Sequence, residues 1–407
     1  MSIIFTDDSA GVTDALGFAV AAVACDIREK GTERLDLALI YSKSPCTAAG
    51  VFTLNDVKAA PVRVCTEILD AGAPVHGFVA NSGNANACTG AQGLCDAQAM
   101  VERAAKATHL PHNTFLVCST GRIGRAMPMP RILAGIDKAA PLLVTTSAEG
   151  RRAAEAILTS DTRPKTCTAR FEWQGRTVTV AAMAKGAGMI QPNMATMLAF
   201  LCTDIAAPKT TLREILSRAN EGSFNAITVD GDMSTNDTVL LLANGASGVD
   251  LAKEPAGARE LFAQAVDKIC ACLAEKIVGD GEKITKVVEV AVSGAKDNAA
   301  AEKVARAIGN SLLVKSSWFG EDPNWGRLID AAGYARVGLD EEKVDLFYDD
   351  TPVLAQGVAQ DQNLSRWKEI VRQPRFRVVL NLHLGAGTFR LLASDLTEGY
   401  VNYNKSE

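Results

Sequence analysis

Lys185-Gly186-Ala187-Gly188-Met189-Ile190-Gln191-Pro192-Asn193-Met194-Ala195-Thr196-Met197-Leu198 places two glycines, a lysine, a proline and an asparagine in one turn, then enters an apolar run from Met197 to Leu201. Gly186 and Gly188 admit backbone angles, and an approach to a ligand, that a side chain would forbid. Pro192 fixes its own φ and pushes Gln191 toward an extended conformation, so the segment reads as a shaped loop, not a helix interior. The hydroxyl of Thr196, held at the end of such a loop, is a candidate nucleophile. Cutting the bond before it would leave an α-amine beside the hydroxyl, with a reference pKa of about 7.7–8.0 that suits a general base at neutral pH. The same residues also fit a plain glycine-rich turn into a buried strand, with Thr196 present as a β-former.

Outward from this loop, β-rich runs predict strands at Leu35–Tyr41, Phe115–Cys118, Thr177–Ala182, Ile284–Val292 and Phe376–Leu382. Helical periodicity is clearest at Asp96–Thr108, Thr211–Phe224, Ala256–Val278 and Asn298–Gly309. The last has an N-cap in Asp297 and a stop in Gly309. Strands cluster, with helices between the clusters, so an α+β layered arrangement is expected over a doubly wound sheet. No internal repeat, low-complexity tract or linker interrupts the chain.

The composition is that of a globular enzyme: 407 residues, 47% hydrophobic and 22% charged, with a formal net charge of −5. That charge gives no electrostatic reason to expect nucleic acid or an acidic membrane as partner. No apolar run reaches the roughly 20 residues that span a bilayer. The start of the chain, Met1-Ser2-Ile3-Ile4-Phe5-Thr6-Asp7-Asp8, carries acids where a secretory signal carries positive charge, and a cytoplasmic protein is expected. The ten cysteines, scattered and without a Cys-x-x-Cys pair, are expected to be small buried residues of a reducing compartment. Cys270-x-Cys272 has the wrong spacing for zinc, and the four histidines do not suggest a metal centre. No metal and no cofactor are expected.

Other stretches carry chemistry more weakly. Val117-Cys118-Ser119-Thr120-Gly121-Arg122-Ile123-Gly124 is a strand running into a small-residue turn. A hydroxyl beside an unhindered glycine N–H can supply two donors to an oxyanion, although a strand-end turn capped by Ser and Thr has the same sequence. Asp230-Gly231-Asp232-Met233-Ser234-Thr235-Asn236-Asp237 alternates acids as a calcium loop does. The sixth and twelfth positions from Asp230 are Thr235 and Leu241 where an EF-hand needs Gly and Glu, so the segment is expected to organise polar backbone instead. Gly320–Arg327 is given no catalytic role.

Several blocks in one order resemble the ornithine acetyltransferase family, the glutamate N-acetyltransferases of arginine biosynthesis. They are the loop above, Gly17-Phe18, Ala48-Ala49-Gly50-Val51-Phe52-Thr53, Asn81-Ser82-Gly83-Asn84-Ala85-Asn86-Ala87 and Ser119-Thr120-Gly121. Gly320-Glu321-Asp322-Pro323-Asn324-Trp325-Gly326-Arg327 and Ser394-Asp395-Leu396-Thr397 follow, so the similarity runs nearly end to end. The resemblance implies a layered, two-lobed α/β sandwich-like fold, one compact enzyme unit whose chain is cut between Ala195 and Thr196. An N-terminal segment, 1–195, would hold the oxyanion hole. A C-terminal segment, 196–407, would begin with the nucleophile, and two of each would form a heterotetramer.

The resemblance further implies ping-pong transfer of acetyl from N2-acetylornithine to glutamate through an acetyl ester of Thr196, with Thr120 and Gly121 as the oxyanion hole. Thr159 matches the family's substrate-binding threonine, and Lys185, a compact cation with three donors, suits the substrate carboxylate. Glu282, in Gly279-Asp280-Gly281-Glu282-Lys283-Ile284-Thr285-Lys286, matches a residue that would pair with a substrate ammonium group. At the C-terminus Asn404 is kept, and Ser406 stands where the family places a substrate-contacting hydroxyl. The chain stops early there, and Arg122 replaces an apolar residue of the family pattern. The resemblance leaves open whether acetyl-CoA is also a donor. An amidase or aminopeptidase with an N-terminal nucleophile, and a non-catalytic binding homologue, are the alternatives.

Overall fold

The computed structural model describes residues 2–191 and 197–405, and the chain forms two units. The first comprises Met1–Gly186, Pro192–Asn225 and Met233–Ile277; the second comprises Ala187–Gln191, Ala226–Asp232 and Val278–Glu407. Each unit therefore draws on chain from both sides of the 195–196 bond.

The first unit is built on a nine-stranded mixed sheet. Its strands are β1 (Ile4–Asp7), β2 (Phe18–Val23), β3 (Leu37–Phe52), β4 (Val75–Asn84), β5 (Phe115–Arg122), β6 (Lys165–Trp173), β7 (Arg176–Lys185), β8 (Leu198–Thr203) and β9 (Thr238–Ala243). They lie in the order β1-β6-β7-β8-β9-β3-β4-β5, with β2 paired to β3. The long β3 serves both halves: residues from Leu37 pair with β4, and residues from Thr47 pair with β9. The central strands β8, Leu-Ala-Phe-Leu-Cys-Thr, and β9, Thr-Val-Leu-Leu-Leu-Ala, are buried at every position and run parallel. Continuous apolar runs of this kind belong to strands covered on both faces. Val64, Ile68, Met100, Val101, Ile132 and Ile136, from helices Ala60–Ala71, Gly90–Ala107 and Met129–Ala139, join Phe78, Leu116 and Phe200 of the sheet in one core.

The second unit carries a six-stranded sheet of β10 (Val287–Ala295), β11 (Asp345–Tyr348), β12 (Thr351–Ala355), β13 (Val358–Ala359), β14 (Arg375–Asn381) and β15 (Gly387–Ser394), in the order β13-β12-β11-β14-β10-β15. Its own core is built around Trp318, Tyr348, Trp367 and Phe376. Trp318 meets Phe376 edge-on with ring centroids 6.2 Å apart. Two sheets with helices packed on them bear out the expected α+β class.

The predicted helix at Ala256–Val278 forms with those bounds, and Asp297 caps Asn298–Asn310 by accepting the Ala300 N–H at 2.8 Å. Gly309 does not stop that helix: it is buried inside it, and a Cβ there would lie 2.6 Å from Leu391 Cδ2. It is a packing glycine. The strand expected from Ile284 begins only at Val287, because Ile284 closes a turn by donating its N–H to the Gly281 carbonyl. Cys88 and Cys95 are exposed, contrary to expectation, while Cys46, Cys65, Cys118, Cys167, Cys202 and Cys270 are buried. No described helix is long and apolar enough to cross a membrane.

Candidate active site

Strand register brings four chain segments to one end of the large sheet. Lys185, the last residue of β7, pairs with Leu198; Leu198 pairs with Thr238, and Thr238 with Phe52. Immediately beyond these residues the chain carries Gly186, Met197, Asp237 and Thr53. Ala195 and Thr196 themselves lie outside the described residues, as does Ser406.

Lys185 is not a solvated loop lysine. It is only 2% exposed. Its Nζ donates to Thr159 Oγ1 at 2.5 Å and lies 3.7 Å from Asp161 Oδ2. Asp161, whose side chain is fully buried, also receives Lys165 Nζ at 2.7 Å, the Gly186 N–H at 2.6 Å and the Thr159 N–H at 3.0 Å. Burial alone would push this carboxyl up, but the charges of Lys185 and Lys165, with hydrogen bonds from Lys165 and Gly186, hold it well below the usual carboxylate range. Two buried ammonium groups share one buried carboxylate.

The 230–238 segment organises backbone, without metal-loop geometry. Asn236 Nδ2 donates to the Ala85 carbonyl at 2.6 Å and the Ser119 carbonyl at 2.9 Å, tying the Thr120 strand to the start of β9. Asp237 Oδ1 accepts the Met197 N–H at 2.9 Å. Burial drives the Asp237 carboxyl well above the ordinary range. Thr120 is buried near the end of β5. Gly121 follows with φ +134°, and a Cβ there would sit 2.3 Å from the Gly83 carbonyl carbon, so only glycine fits beside β4. Arg122 is exposed.

The other sequence-predicted residues meet in the second unit. The Glu282 N–H donates to the Ala187 carbonyl at 2.9 Å, and Asn404 Nδ2 donates to Glu282 Oε2 at 3.1 Å. The Glu282 carboxylate occupies the space a side chain at Gly188 would need: a Cβ there would be 2.4 Å from Oε1. Asp230 holds the same turn by accepting the Met189 and Ile190 N–H groups at 2.6 and 2.7 Å. Tyr400 donates its hydroxyl to Asp230 at 3.2 Å, which anchors the helix Glu398–Tyr403 that carries Asn404 at its end.

Thr159 is thus brought to Lys185, and Asn404 to Glu282, one pair in each unit. Sequence reasoning passed over Asp161, Asp237 and Asn236. Asp161 had a signal: an acid two residues after Thr159 and four before Lys165. Asp237 and Asn236 had only their place in the polar run that enters β9.

Known proteins extend these observations. A family model described as the ArgJ family matches residues 19–406. The chain is 46% identical over 398 residues to the arginine biosynthesis bifunctional protein ArgJ of Symbiobacterium thermophilum, covering 97% of this chain and 98% of that protein. It is 45% identical over 391 residues to the protein of the same name from Geobacter sulfurreducens, covering 95% and 98%. The crystal structure of Mycobacterium tuberculosis ornithine acetyltransferase complexed with ornithine is similar over 47% of this chain and 98% of that one, at 38% identity and a TM-score of 0.43. A match over nearly the whole length, at this identity, shows that the chain belongs to the ArgJ family.

Proposed function

We propose that the protein transfers the acetyl group of N2-acetylornithine to glutamate, giving ornithine and N-acetylglutamate, after cutting itself between Ala195 and Thr196. The observation that carries this reading is the buried Lys185–Thr159–Asp161 cluster, beside the chain that leads to and from the Thr196 loop. An N-acyl amino acid presents a carboxylate to Lys185 and an amide to the Thr159 hydroxyl. Thr196 attacks the acetyl carbonyl, its proton passing to its own α-amine. Threonine is a weak nucleophile at its free pKa, so that neighbouring base is essential. The Thr120 hydroxyl and Gly121 N–H hold the oxyanion until ornithine leaves, and the glutamate amine then takes the acetyl group from the ester.

Glu282, steadied by Asn404, pairs with the ammonium group of the amino acid, and Ser406 supplies a further hydroxyl. Acetyl-CoA is proposed as a second donor, in keeping with the word bifunctional in the relatives' names. The two segments are proposed to stay together as a heterotetramer of two copies of each. Support for the two segments of one chain staying together comes from β7 and β8, which pair antiparallel from Val180 with Thr203 to Lys185 with Leu198, across the bond to be cut.

The deciding assay measures acetylglutamate formed from glutamate with acetylornithine or acetyl-CoA as donor. Formation with acetylornithine is expected. Release of free acetate that does not depend on glutamate would replace the transferase by a hydrolase.

A further inference from the structure

Thr120 and Gly121 sit where the sheet stops fixing its own backbone. β5 is an edge strand, paired only with β4, and the register of that pair becomes irregular at Asn84, which faces both Thr120 and Arg122. Something other than the ladder must hold these peptide units still. The strand order puts β3 and β4 between β5 and β9, so no strand pairing joins the last two. A side chain joins them instead. Asn236, buried just before β9, donates from Nδ2 to the Ser119 carbonyl at 2.9 Å and to the Ala85 carbonyl at 2.6 Å. An asparagine amide has two N–H donors, and both are spent here.

The two carbonyls flank the Thr120–Gly121 pair. The Ser119 carbonyl belongs to the planar peptide unit that ends at the Thr120 nitrogen, so holding its oxygen sets the plane from which Thr120 projects. The Ala85 N–H donates to the Arg122 carbonyl at 3.0 Å, so holding Ala85 steadies the chain just after Gly121. Asn236 is itself locked. Its Oδ1 accepts the Thr235 hydroxyl at 2.6 Å, its N–H donates to Ser234 Oγ at 3.1 Å, and the Ser234 carbonyl accepts the Thr53 hydroxyl at 2.7 Å. The next residue, Asp237, accepts the Met197 N–H at 2.9 Å, so adjoining side chains fasten β5 and β8 to one turn.

We propose that Asn236 is the positioning residue of the oxyanion hole, aiming the Thr120 hydroxyl and the Gly121 N–H through its bonds to Ser119 and Ala85. This role rests on the reading of Thr120 and Gly121 as oxyanion donors. Such donors work because they are already aimed at the place where charge develops, and a shift of about 1 Å in catalytic geometry can cost about 100-fold in rate.

The test measures kcat and KM for acetylglutamate formation from acetylornithine, per mole of folded and cleaved enzyme. Asn236→Ala should lower kcat by about 100-fold with KM little changed. Asn236→Ser keeps one donor and should lose less. A merely structural asparagine would lower the melting temperature and leave the kcat of folded enzyme as it was. The sharper readout is the double variant with Thr120→Ala. If Asn236 acts through the oxyanion donors, the combined loss falls well short of the product of the two single losses. Should Asn236→Ala fail to fold, Asn236→Ser carries the same cycle. A wild-type kcat in the Asn236 variants, a loss confined to KM, or a double variant whose loss equals the product overturns the assignment. Full kcat in Thr120→Ala, or no acetylglutamate from wild type, is a different result, since it removes the oxyanion hole or the reaction itself and this role with it.

Discussion

The end of the large sheet and the Gly188–Glu282 turn each hold two of the substrate-side residues, yet they hold charge in different ways. At the sheet, Lys165, Asp161 and Lys185 are almost wholly withdrawn from water and satisfy one another. At the turn, Glu282 is half-buried and leans on an exposed Asn404 and on backbone. A charge in the first setting is part of the fold, and removing it leaves a partner stranded. A charge in the second is free to serve a ligand at little structural cost. Substitutions should therefore separate into those that damage stability and turnover together and those that damage only the handling of substrate.

The largest effect is expected where chemistry and chain cleavage coincide. Thr196→Ala should stay a single chain and lose turnover by about 10⁴-fold or more, as losing a nucleophile does elsewhere. The fold should survive, because β7 and β8 stay joined by the intact loop. Two fragments from this variant would mean that cleavage needs no Thr196 hydroxyl.

Asp161→Asn comes next and tests the buried cluster. It leaves Lys165 and Lys185 sharing a neutral amide, and breaking a buried pair in this way costs about 3–5 kcal/mol. Asp161 is held below its ordinary pKa in the folded state. Its contribution to stability is thus fully present above the ordinary carboxylate value and is lost as pH falls through that value toward the folded one. Thermal unfolding should show wild type well above the variant at neutral pH, with the gap closing below about pH 4. An equal gap at both pH values would mean that Asp161 matters through shape and not through charge.

Thr120→Ala probes the same end of the sheet through a group that bears no charge. Losing one oxyanion donor typically lowers kcat by about 10²–10³. KM and melting temperature should change little, since Asn236 holds the strand through the Ser119 carbonyl and not through the Thr120 side chain. An unchanged kcat would return Thr120 to a structural cap.

These expectations could be drawn from sequence only in part. The helix Ala256–Val278 and the Asp297 cap were legible because periodicity and capping are local. Gly309 was misread for the same reason: what demands glycine there is Leu391, distant in sequence and visible only once the chain has folded. Lys185 and Glu282 stood out through their glycine neighbours, and Gly188 proves to make room for the Glu282 carboxylate itself. Asp161 and Asp237 did not stand out. An aspartate's protonation is set by burial and by the cations brought to it, and two aspartates that both feel Lys185 are driven in opposite directions. Nothing in the local sequence separates them.

The smallest effect is expected at Glu282. Acetylornithine carries a carboxylate, suited to Lys185, and a chain ending in an amine, suited to Glu282. Removing one charge-assisted hydrogen bond from the half-buried carboxylate should lower kcat/KM by roughly ten- to a hundred-fold. Stability should scarcely move, because Asn404 and the Ala187 carbonyl can hold a glutamine in place. Glu282→Gln is best compared on two donors, acetylornithine and an acetylated amino acid that lacks the side-chain amine. If Glu282 pairs with the δ-amine, the loss is large for the first donor and small for the second. Equal losses would assign Glu282 to the α-amine of glutamate, the acceptor common to both reactions. A fall in melting temperature like that of Asp161→Asn would erase the distinction between the two regions, since the turn would then depend on its charge as the sheet end does.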